Sequence, residues 1–184
     1  MRREPYYSDD SGAPPERLPV HVVLDNVRSA FNVGSIFRTA DAAGIGCIHL
    51  CGITCWPPHP KLEKTSLGAH QYVPWKRHQS TEEALLWLRA QGIPVVVLET
   101  REDAQVVGEY RWPSPVALVL GHEVVGVSDE VLQLADVFLR IPMFGVKNSL
   151  NVASAFAVVA YDIIGASVSV AGPGGNASAG RWLE

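Results

Sequence analysis

Short, continuous runs of apolar residues alternate along the chain with segments whose apolar residues recur at helical spacing. The continuous runs are typical of buried strands, and they predict strands over residues 20–24, 47–51, 71–75, 94–100, 116–121 and 137–143. The segments between them predict helices over residues 32–44, within 60–68, and over 84–91, 129–135 and 149–166. Gly44 and Gly92 are stop signals, Ser80 and Glu83 have capping-box spacing, and Ser128 is placed to cap a helix.

Strands and helices that alternate in this way indicate an α/β fold, with a mostly parallel sheet covered by helices on both faces. The chain has the length of one domain and no internal repeat, so we predict a single domain over residues 18–168. Residues 1–17 are predicted to form a flexible tail, and the Gly-rich residues 169–184 a disordered one.

Composition and charge narrow the class of protein. Of the 184 residues 47% are hydrophobic, but none of the apolar runs is long enough to span a membrane. Residues 1–17 lack the hydrophobic core of a secretion signal, so a cytoplasmic protein with no membrane partner is predicted. The formal net charge of -4 disfavours non-specific coating of nucleic acid and still allows a local basic patch.

Cys47, Cys51 and Cys55 form the pattern C-x3-C-x3-C. This spacing differs from that of an iron–sulfur cradle, and the first two cysteines fall in a predicted buried strand. Ordinary reduced thiols are therefore favoured. The six histidines are scattered and include no HExxH-type pair, so we predict no metal.

The last predicted helix, residues 149–166, carries apolar residues on nearly all of its sides. A helix that is apolar all round is buried all round. The sequence leaves two explanations open. Either a partner subunit covers the outer side of this helix, or the helix is sandwiched within one chain.

A first cluster of chemically useful residues is N-x-G-x-x-x-R, formed by Asn32, Gly34 and Arg38 just after the first predicted strand. Ligands of open α/β sheets bind at this carboxyl edge. The dinucleotide pattern G-x-G-x-x-G does not occur in this stretch, which disfavours a nicotinamide oxidoreductase. Arg38 is either part of a ligand-binding site or an ordinary surface arginine whose aliphatic stem packs on apolar neighbours.

A second cluster, LVLGHEVVGVS, follows a later strand. Gly121 ends that strand, and a glycine lets the backbone approach a ligand closely. Glu123 is either a solvated loop carboxylate or the partner that orients a nearby arginine.

The third cluster, IPMFGVKNSLNV, surrounds the start of the last predicted helix. One small polar residue, Asn148 or Ser149, would be a sufficient cap. The helix start also presents free N–H groups. Ser149 and Asn151 are two residues apart and do not both cap, so at least one is predicted to face a ligand or another element.

Taken in order, N-x-G-x-x-x-R, L-G-x-E-x-x-G and I-P-M followed by S-L-N-V resemble the three motifs of the SpoU (TrmH-like) branch of the SPOUT RNA methyltransferases. The likeness covers residues 20–165. It implies the SPOUT fold, in which the part from about residue 93 to the end of the last helix forms a deep trefoil knot. It also implies a homodimer whose site is completed across the interface.

The resemblance implies S-adenosylmethionine as the cofactor, bound by the knotted loops largely through backbone groups. Apolar side chains and main-chain groups suit an adenine ring. Carried over to this chain, the loop after Leu98 includes Glu99 and Thr100. The cofactor-binding positions are Leu98, Thr100, Gly121, Ile141, Met143, Ser149 and Leu150.

The implied reaction is methyl transfer to a ribose 2′-hydroxyl of RNA, without a metal. The catalytic positions carried over are Asn32, Arg38, Glu123, Ser149 and Asn151. An arginine with a pKa above ~12 is a poor general base. We therefore expect Arg38 to clamp a phosphate and stabilise a developing alkoxide. Asn32 would orient Arg38 or the RNA backbone, and Glu123 would hold the geometry of the site, for instance by pairing with an arginine.

The RNA partner is expected to be tRNA, with rRNA as the other possibility. A basic rim around the site is one interpretation of seven scattered cations, and solvated surface charge is the other. These cations are Arg28, Arg38, Lys61, Lys64, Lys76, Arg77 and Lys147. The alternative function is a non-catalytic RNA-binding or cofactor-binding module of the same fold.

Overall fold

The computed structural model describes residues 16–169, with side chains described up to residue 167. A single sheet of seven strands forms its centre, in the order β3-β2-β1-β6-β4-β7-β5. The strands are β1 (Leu18–Asp25), β2 (Ile45–Cys51), β3 (Trp75–His78), β4 (Val95–Leu98), β5 (Gln105–Val106), β6 (Val116–Leu120) and β7 (Val137–Arg140). All neighbouring strands run parallel, which confirms the predicted sheet type.

Helices cover both faces of this sheet, as predicted. The helices are α1 (Ala30–Ala42), α2 (Pro60–Ser66), α3 (Thr81–Arg89), α4 (Asp129–Leu132) and α5 (Val152–Ser169), with a 3₁₀ turn at Ala69–Gln71. Helices α1, α2 and α5 contribute to one hydrophobic cluster, and α3 and α4 to the cluster on the other face. Within residues 16–169, every helix is too short or too polar to cross a membrane.

Several predicted boundaries are wrong. The strands predicted over 94–100 and 137–143 end at Leu98 and Arg140, the helix predicted over 129–135 ends at Leu132, and the sequence does not predict β5. Two further corrections concern residues 71–75 and the start of the last helix. Residues 71–75 are not a strand, because a 3₁₀ turn occupies 69–71 and β3 begins only at Trp75, after Pro74. The last helix begins at Val152 rather than at 149. Its cap is Asn151, whose side-chain oxygen accepts hydrogen bonds from the N–H groups of Ala153 and Ser154 at 2.9 and 3.4 Å, so neither Asn148 nor Ser149 is the cap.

Most of the two predicted tails, residues 1–15 and 170–184, lies outside the described residues. Arg17, placed in the flexible N-terminal tail by the sequence, is anchored to the domain. Its guanidinium forms an ion pair with Asp41 at 2.7 Å and donates hydrogen bonds to the carbonyl groups of Ile45 and Tyr72. At the other end, α5 continues to Ser169.

The cysteines are free thiols. Cys47 and Cys51 are buried in β2, and burial raises their pKa values to about 11 and about 12. Burial also raises the pKa of the half-buried Cys55. The thiols are therefore protonated at neutral pH, as expected for reduced thiols of a protein core.

Helix α5 is buried on one side only. Phe156, Val159 and Ile163 pack into the core, while Val158 and Tyr161 are 45% and 53% exposed. Residues 16–167 therefore do not sandwich this helix. The outer side of α5 is open in the described part of the chain.

Helices α1 and α2 approach each other at Gly34. A methyl group there would collide with the carbonyl oxygen of Leu62 and the hydroxyl of Thr65. Gly34→Ala is expected to lower the free energy of unfolding, because overpacking costs about 1–3 kcal/mol whereas the gain in helix propensity is about 1 kcal/mol. Urea unfolding measures the change. The matched control is Gly165→Ala in α5, where a methyl group meets nothing within 4 Å, so the variant should be equally or more stable. Equal changes in both variants would contradict the close approach.

Candidate active site

The loops after β1 and β6 meet at the carboxyl edge of the sheet, because the two strands pair with Leu24 opposite Leu120. Glu123, in the loop after β6, accepts hydrogen bonds from the backbone N–H groups of Arg28 and Ser29 at 3.0 and 2.9 Å. These N–H groups lie at the start of α1, where donors have no partner within the helix. The carboxylate of Glu123 therefore fastens the start of α1 to the loop after β6.

Asn32 extends this contact to a third segment. Its amide nitrogen donates to Glu123 at 2.9 Å, and its amide oxygen accepts from the amide nitrogen of Asn151 at 3.1 Å. Asn151 also caps α5. A continuous row of hydrogen bonds thus joins the three motifs, one residue from each, across more than ninety positions of sequence.

An open cleft of about 380 Å³ lies over this row. It is lined by Arg28, Ser29, Asn32, His122, Glu123, Val124 and Asn151. Donors and acceptors from the starts of two helices and from one loop thus face the same space. Such a cleft suits a polar ligand that carries several hydrogen-bonding groups.

The carboxylate of Glu123 is held in its charged form. Burial raises its pKa, but the hydrogen bonds from Asn32 and from backbone N–H groups lower it by more, so the pKa lies below the ordinary value of 4.5. Glu123 is therefore ionised at neutral pH. Its bonds at the start of α1 also place a negative charge where the helix dipole favours one.

Glu123→Gln is expected to destabilise the protein at pH 7 and to do so less as the pH falls. A carboxylate with a lowered pKa contributes stability above its ordinary pKa of 4.5 and loses that contribution as the pH falls through the folded pKa. Urea unfolding of the wild type and the variant at pH 7 and below pH 4 measures the difference. The control is Glu130→Gln, on the exposed side of α4. A difference that stays constant across this pH range would contradict the role of the charge.

The predicted cofactor loops also begin side by side. Leu98, Leu120 and Leu139 are in register across the neighbouring strands β4, β6 and β7. The segments that follow are therefore at the same level of the sheet. Glu99 ties two of them together, because its carboxylate accepts a hydrogen bond from the N–H of Val127 at 3.1 Å.

The predicted cofactor-binding residues differ in their surroundings. Leu98, Gly121, Ile141 and Met143 are partly buried, whereas Thr100, Ser149 and Leu150 are exposed. Residues 144–150 form an irregular, exposed segment in which Phe144 and Val146 are almost fully accessible. Large apolar side chains in this condition are typical of a surface that a ligand or a partner covers.

Gly121 has a reason of its own to be glycine. The loop after β6 turns back on itself, with His122 and Gly126 exchanging two backbone hydrogen bonds of 3.0 and 2.9 Å. A side chain at position 121 would collide with the backbone of Gly126 and Val127. Packing within the loop therefore already requires glycine here, before any ligand is considered.

Two predicted catalytic residues are not joined to the row of hydrogen bonds. Arg38 is exposed on α1, six residues beyond Asn32, and its side chain makes no hydrogen bond or ion pair with residues 16–167. Ser149 is also exposed and has no hydrogen-bond partner in that range. Within residues 16–167 of one chain, Glu123 pairs with no arginine side chain and instead binds the backbone of Arg28 and the amide of Asn32.

Sequence reasoning missed the contributions of Ser29 and Glu99. Ser29 caps α1 by accepting the N–H of Asn32 at 3.3 Å, and a serine three residues before a helical asparagine is a detectable signal. The sequence predicts Glu99 in a cofactor loop but indicates no role for its side chain. Its bond to Val127 depends on the order of strands in the sheet, which a single sequence does not display.

The profile of the SpoU rRNA Methylase family matches residues 19–161. The chain belongs to this family. It is 38% identical over 141 residues to the tRNA (guanosine(18)-2'-O)-methyltransferase of Thermus thermophilus, a match that covers 77% of this chain and 72% of that enzyme.

Solved structures of other proteins are similar to the chain. The SpoU methyltransferase AviRb from Streptomyces viridochromogenes, in complex with the cofactor AdoMet, has a TM-score of 0.74 and 32% identity, covering 89% of this chain and 66% of AviRb. A structure described as giving insight into the 2-OH methylation of C/U34 on tRNA also has a TM-score of 0.74, with 31% identity. That match covers 82% of this chain and 97% of the other.

Proposed function

We propose that this protein transfers a methyl group from S-adenosylmethionine to a ribose 2′-hydroxyl of RNA. The observation that carries the proposal is the row Glu123–Asn32–Asn151, which joins all three family motifs at one cleft. A non-catalytic module would not require three distant polar residues to be held together at the edge of the sheet where ligands bind.

The residues at the ends of β4, β6 and β7 suit S-adenosylmethionine. Three adjacent loops supply backbone groups, and Leu98, Ile141 and Met143 supply partly buried apolar side chains for an adenine ring. The exposed segment 144–150 is available to cover a bound molecule. The bound cofactor supplies a methyl group made electrophilic by a positively charged sulfur. The knot that the resemblance implies remains a prediction and would bring these loops together.

The roles of the polar residues follow from their surroundings. Asn32 and Asn151 each use amide groups to hold the starts of α1 and α5 at a fixed separation, so that reacting groups meet in one geometry. Glu123 keeps the start of α1 in place. Arg38, which has no partner among the described residues, is free to bind a phosphate next to the target ribose. Its positive charge would stabilise the alkoxide that develops as the hydroxyl loses its proton.

The functional unit in this proposal is a homodimer. On α5, Ser154, Val158, Tyr161 and Gly165 follow one another at helical spacing and are exposed. On α1, which packs against α5, Phe31 and Arg38 share an exposed face. A second copy that covers the exposed side chains of Phe31, Val158 and Tyr161 would bring its own Arg38 towards the cofactor loops of the first.

Mixed dimers test whether the site is completed across this interface. Arg38→Ala and Asn151→Ala should each be inactive as homodimers. When the two variants are co-expressed with different tags, the mixed dimer should regain activity, because one of its two sites combines an intact Arg38 with an intact Asn151 of the other chain. Methyl incorporation by the doubly tagged dimer is the measurement. Mixed dimers that remain inactive would place the whole site in one chain.

For the RNA, we propose tRNA. The seven candidate rim cations are all exposed, and Arg77 lies 3.5 Å above the ring of Trp56. Cations interleaved with aromatic rings suit an RNA loop whose bases are unstacked. The family's description names rRNA, so rRNA is the other substrate to be tested.

The decisive experiment supplies labelled S-adenosylmethionine with unmodified tRNA and, separately, with unmodified rRNA. We expect label in tRNA at a single ribose, located by the resistance of the adjoining phosphodiester to alkaline cleavage. Arg38→Ala provides the inactive control. If the protein binds cofactor and RNA but incorporates no methyl label into either RNA, the protein is instead a non-catalytic binding module.

A further inference from the structure

Three histidines, distant in sequence, lie in a row across neighbouring strands on the side of the sheet covered by α3. Nδ1 of His21 in β1 is 3.0 Å from Nε2 of His49 in β2, and Nδ1 of His49 is 2.9 Å from Nε2 of His78 in β3. His49 is fully buried beneath Trp87 of α3. The row is on the face opposite to α1 and α5, away from the candidate active site.

Cys47 completes a compact group with two of these histidines. It is paired with His21 across β1 and β2, and it precedes His49 by two residues, so its side chain is on the same side of the sheet. A ring nitrogen of His21, a ring nitrogen of His49 and Sγ of Cys47 lie within 4.8 Å of one another. We propose that His21, Cys47 and His49 bind a thiophilic transition-metal ion such as Zn²⁺.

The spacing of the donor atoms is close to what zinc requires. Zn–N bonds of about 2.1 Å and Zn–S bonds of about 2.3 Å place the ligand atoms of a tetrahedral site roughly 3.3–3.7 Å apart. The nitrogens of His21 and His49 are 3.0 Å apart, so small ring rotations would open the space for an ion. Three protein ligands leave one position for water.

His78 has the position of a supporting residue for this site. A metal-binding histidine nearly always donates its other ring N–H to an acceptor, which fixes the ring. With Nε2 of His49 directed at the ion, its Nδ1–H is directed at Nε2 of His78, 2.9 Å away. One tautomer of His49 therefore serves both contacts.

The partners of His49 distinguish it from the other buried polar residues in the described part of the chain. Those residues are Asp25, Thr54, Ser66 and Thr81, and each has at least one hydrogen bond to the backbone, to a hydroxyl or to a carboxylate, Ser66 having a second one to His70. His49 bonds only to two histidines from other strands. A buried polar group in an apolar layer adds less to stability than an apolar side chain of that size would. Packing alone therefore does not explain this row of histidines, whereas a bound ligand would.

Binding would convert the Cys47 thiol to a thiolate as the sulfur–metal bond forms, and the proton would leave to solvent. The two histidines would remain neutral. A divalent cation bound by one thiolate and two neutral imidazoles has a net charge of +1. The nearby cation Lys76, whose Nζ lies 4.0 Å over Trp87, disfavours that charge. Lys76→Gln is therefore expected to tighten binding.

Cobalt titration tests the site directly. Metal-free protein in a non-thiol reductant is titrated with Co²⁺, and the thiolate-to-cobalt charge-transfer band is followed. We expect one Co²⁺ per chain, displaced by Zn²⁺. Cys47→Ser should lose the band, and the matched thiol variant Cys55→Ser should retain it. His78→Gln should weaken binding about 10- to 100-fold.

A second readout covers variants that fold poorly. Zn²⁺ should raise the melting temperature of the wild type, and His21→Gln, at a half-buried position, should abolish that rise. Either of two results would overturn the proposal and leave only a hydrogen-bonded row of histidines. One is the absence of a charge-transfer band in folded wild-type protein, and the other is an identical band in Cys47→Ser. S-adenosylmethionine binding by these variants should be unchanged, which separates this site from the proposed active site.

Discussion

Replacement of Arg38 by alanine is expected to lower the rate of methyl transfer by about 100- to 1,000-fold, the usual effect of removing one group that stabilises transition-state charge. Arg38 is exposed and makes no hydrogen bond or ion pair with residues 16–167, so the variant should fold normally. Affinity for S-adenosylmethionine should change little, because the proposed partner of Arg38 is the RNA. Single-turnover methylation and cofactor titration measure the two effects separately.

Two further variants make this result specific. Arg38→Lys keeps the charge but loses the planar, bidentate contact, and should have intermediate activity. Arg111→Ala removes another exposed arginine and should be fully active. Wild-type turnover in Arg38→Ala would remove Arg38 from the mechanism, without affecting the assignment of the chain to its family.

Replacement of Gly121 by valine is expected to reduce both stability and cofactor affinity. Its side chain would collide with the backbone of Gly126 and Val127, and the N–H of Val127 is bound to Glu99 at the start of the neighbouring loop. Overpacking of this kind costs about 1–3 kcal/mol in the free energy of unfolding. Displacement of the loop should also lower the affinity for S-adenosylmethionine at least about tenfold, which is equivalent to 1.4 kcal/mol of binding free energy.

Thermal unfolding and equilibrium dialysis with labelled cofactor measure the two losses. Gly145→Ala is the stability control, because a methyl group at position 145 meets nothing within 4 Å. It should melt like the wild type. If Gly121→Val also matched the wild type in melting temperature and in cofactor affinity, the loop after β6 would have no part in the site.

The sequence was sufficient to predict the parallel sheet, because continuous apolar runs such as 116–121 have no polar face to expose. Its motifs also predict Asn32, Glu123 and Asn151 as site residues, and the structure joins these three side chains by hydrogen bonds. The sequence did not reveal the partners. Glu123 binds backbone N–H groups of Arg28 and Ser29, and such groups exist at every helix start, so residue types alone do not indicate them.

Contacts that depend on the lateral order of strands were also beyond the sequence. His21, His49 and His78 are separated by 28 and 29 residues, and they form a row only because β1, β2 and β3 are neighbours with a particular register. The start of α5 was misplaced for a local reason. Several small polar residues precede this helix, and each is a good cap by type.

A single carboxamide, that of Asn151, fastens the beginnings of two helices to each other. Whatever orders one of these beginnings therefore also orders the other. Thermodynamic linkage makes such coupling reciprocal. If bound RNA raises the affinity for S-adenosylmethionine by some factor, the bound cofactor raises the affinity for RNA by the same factor.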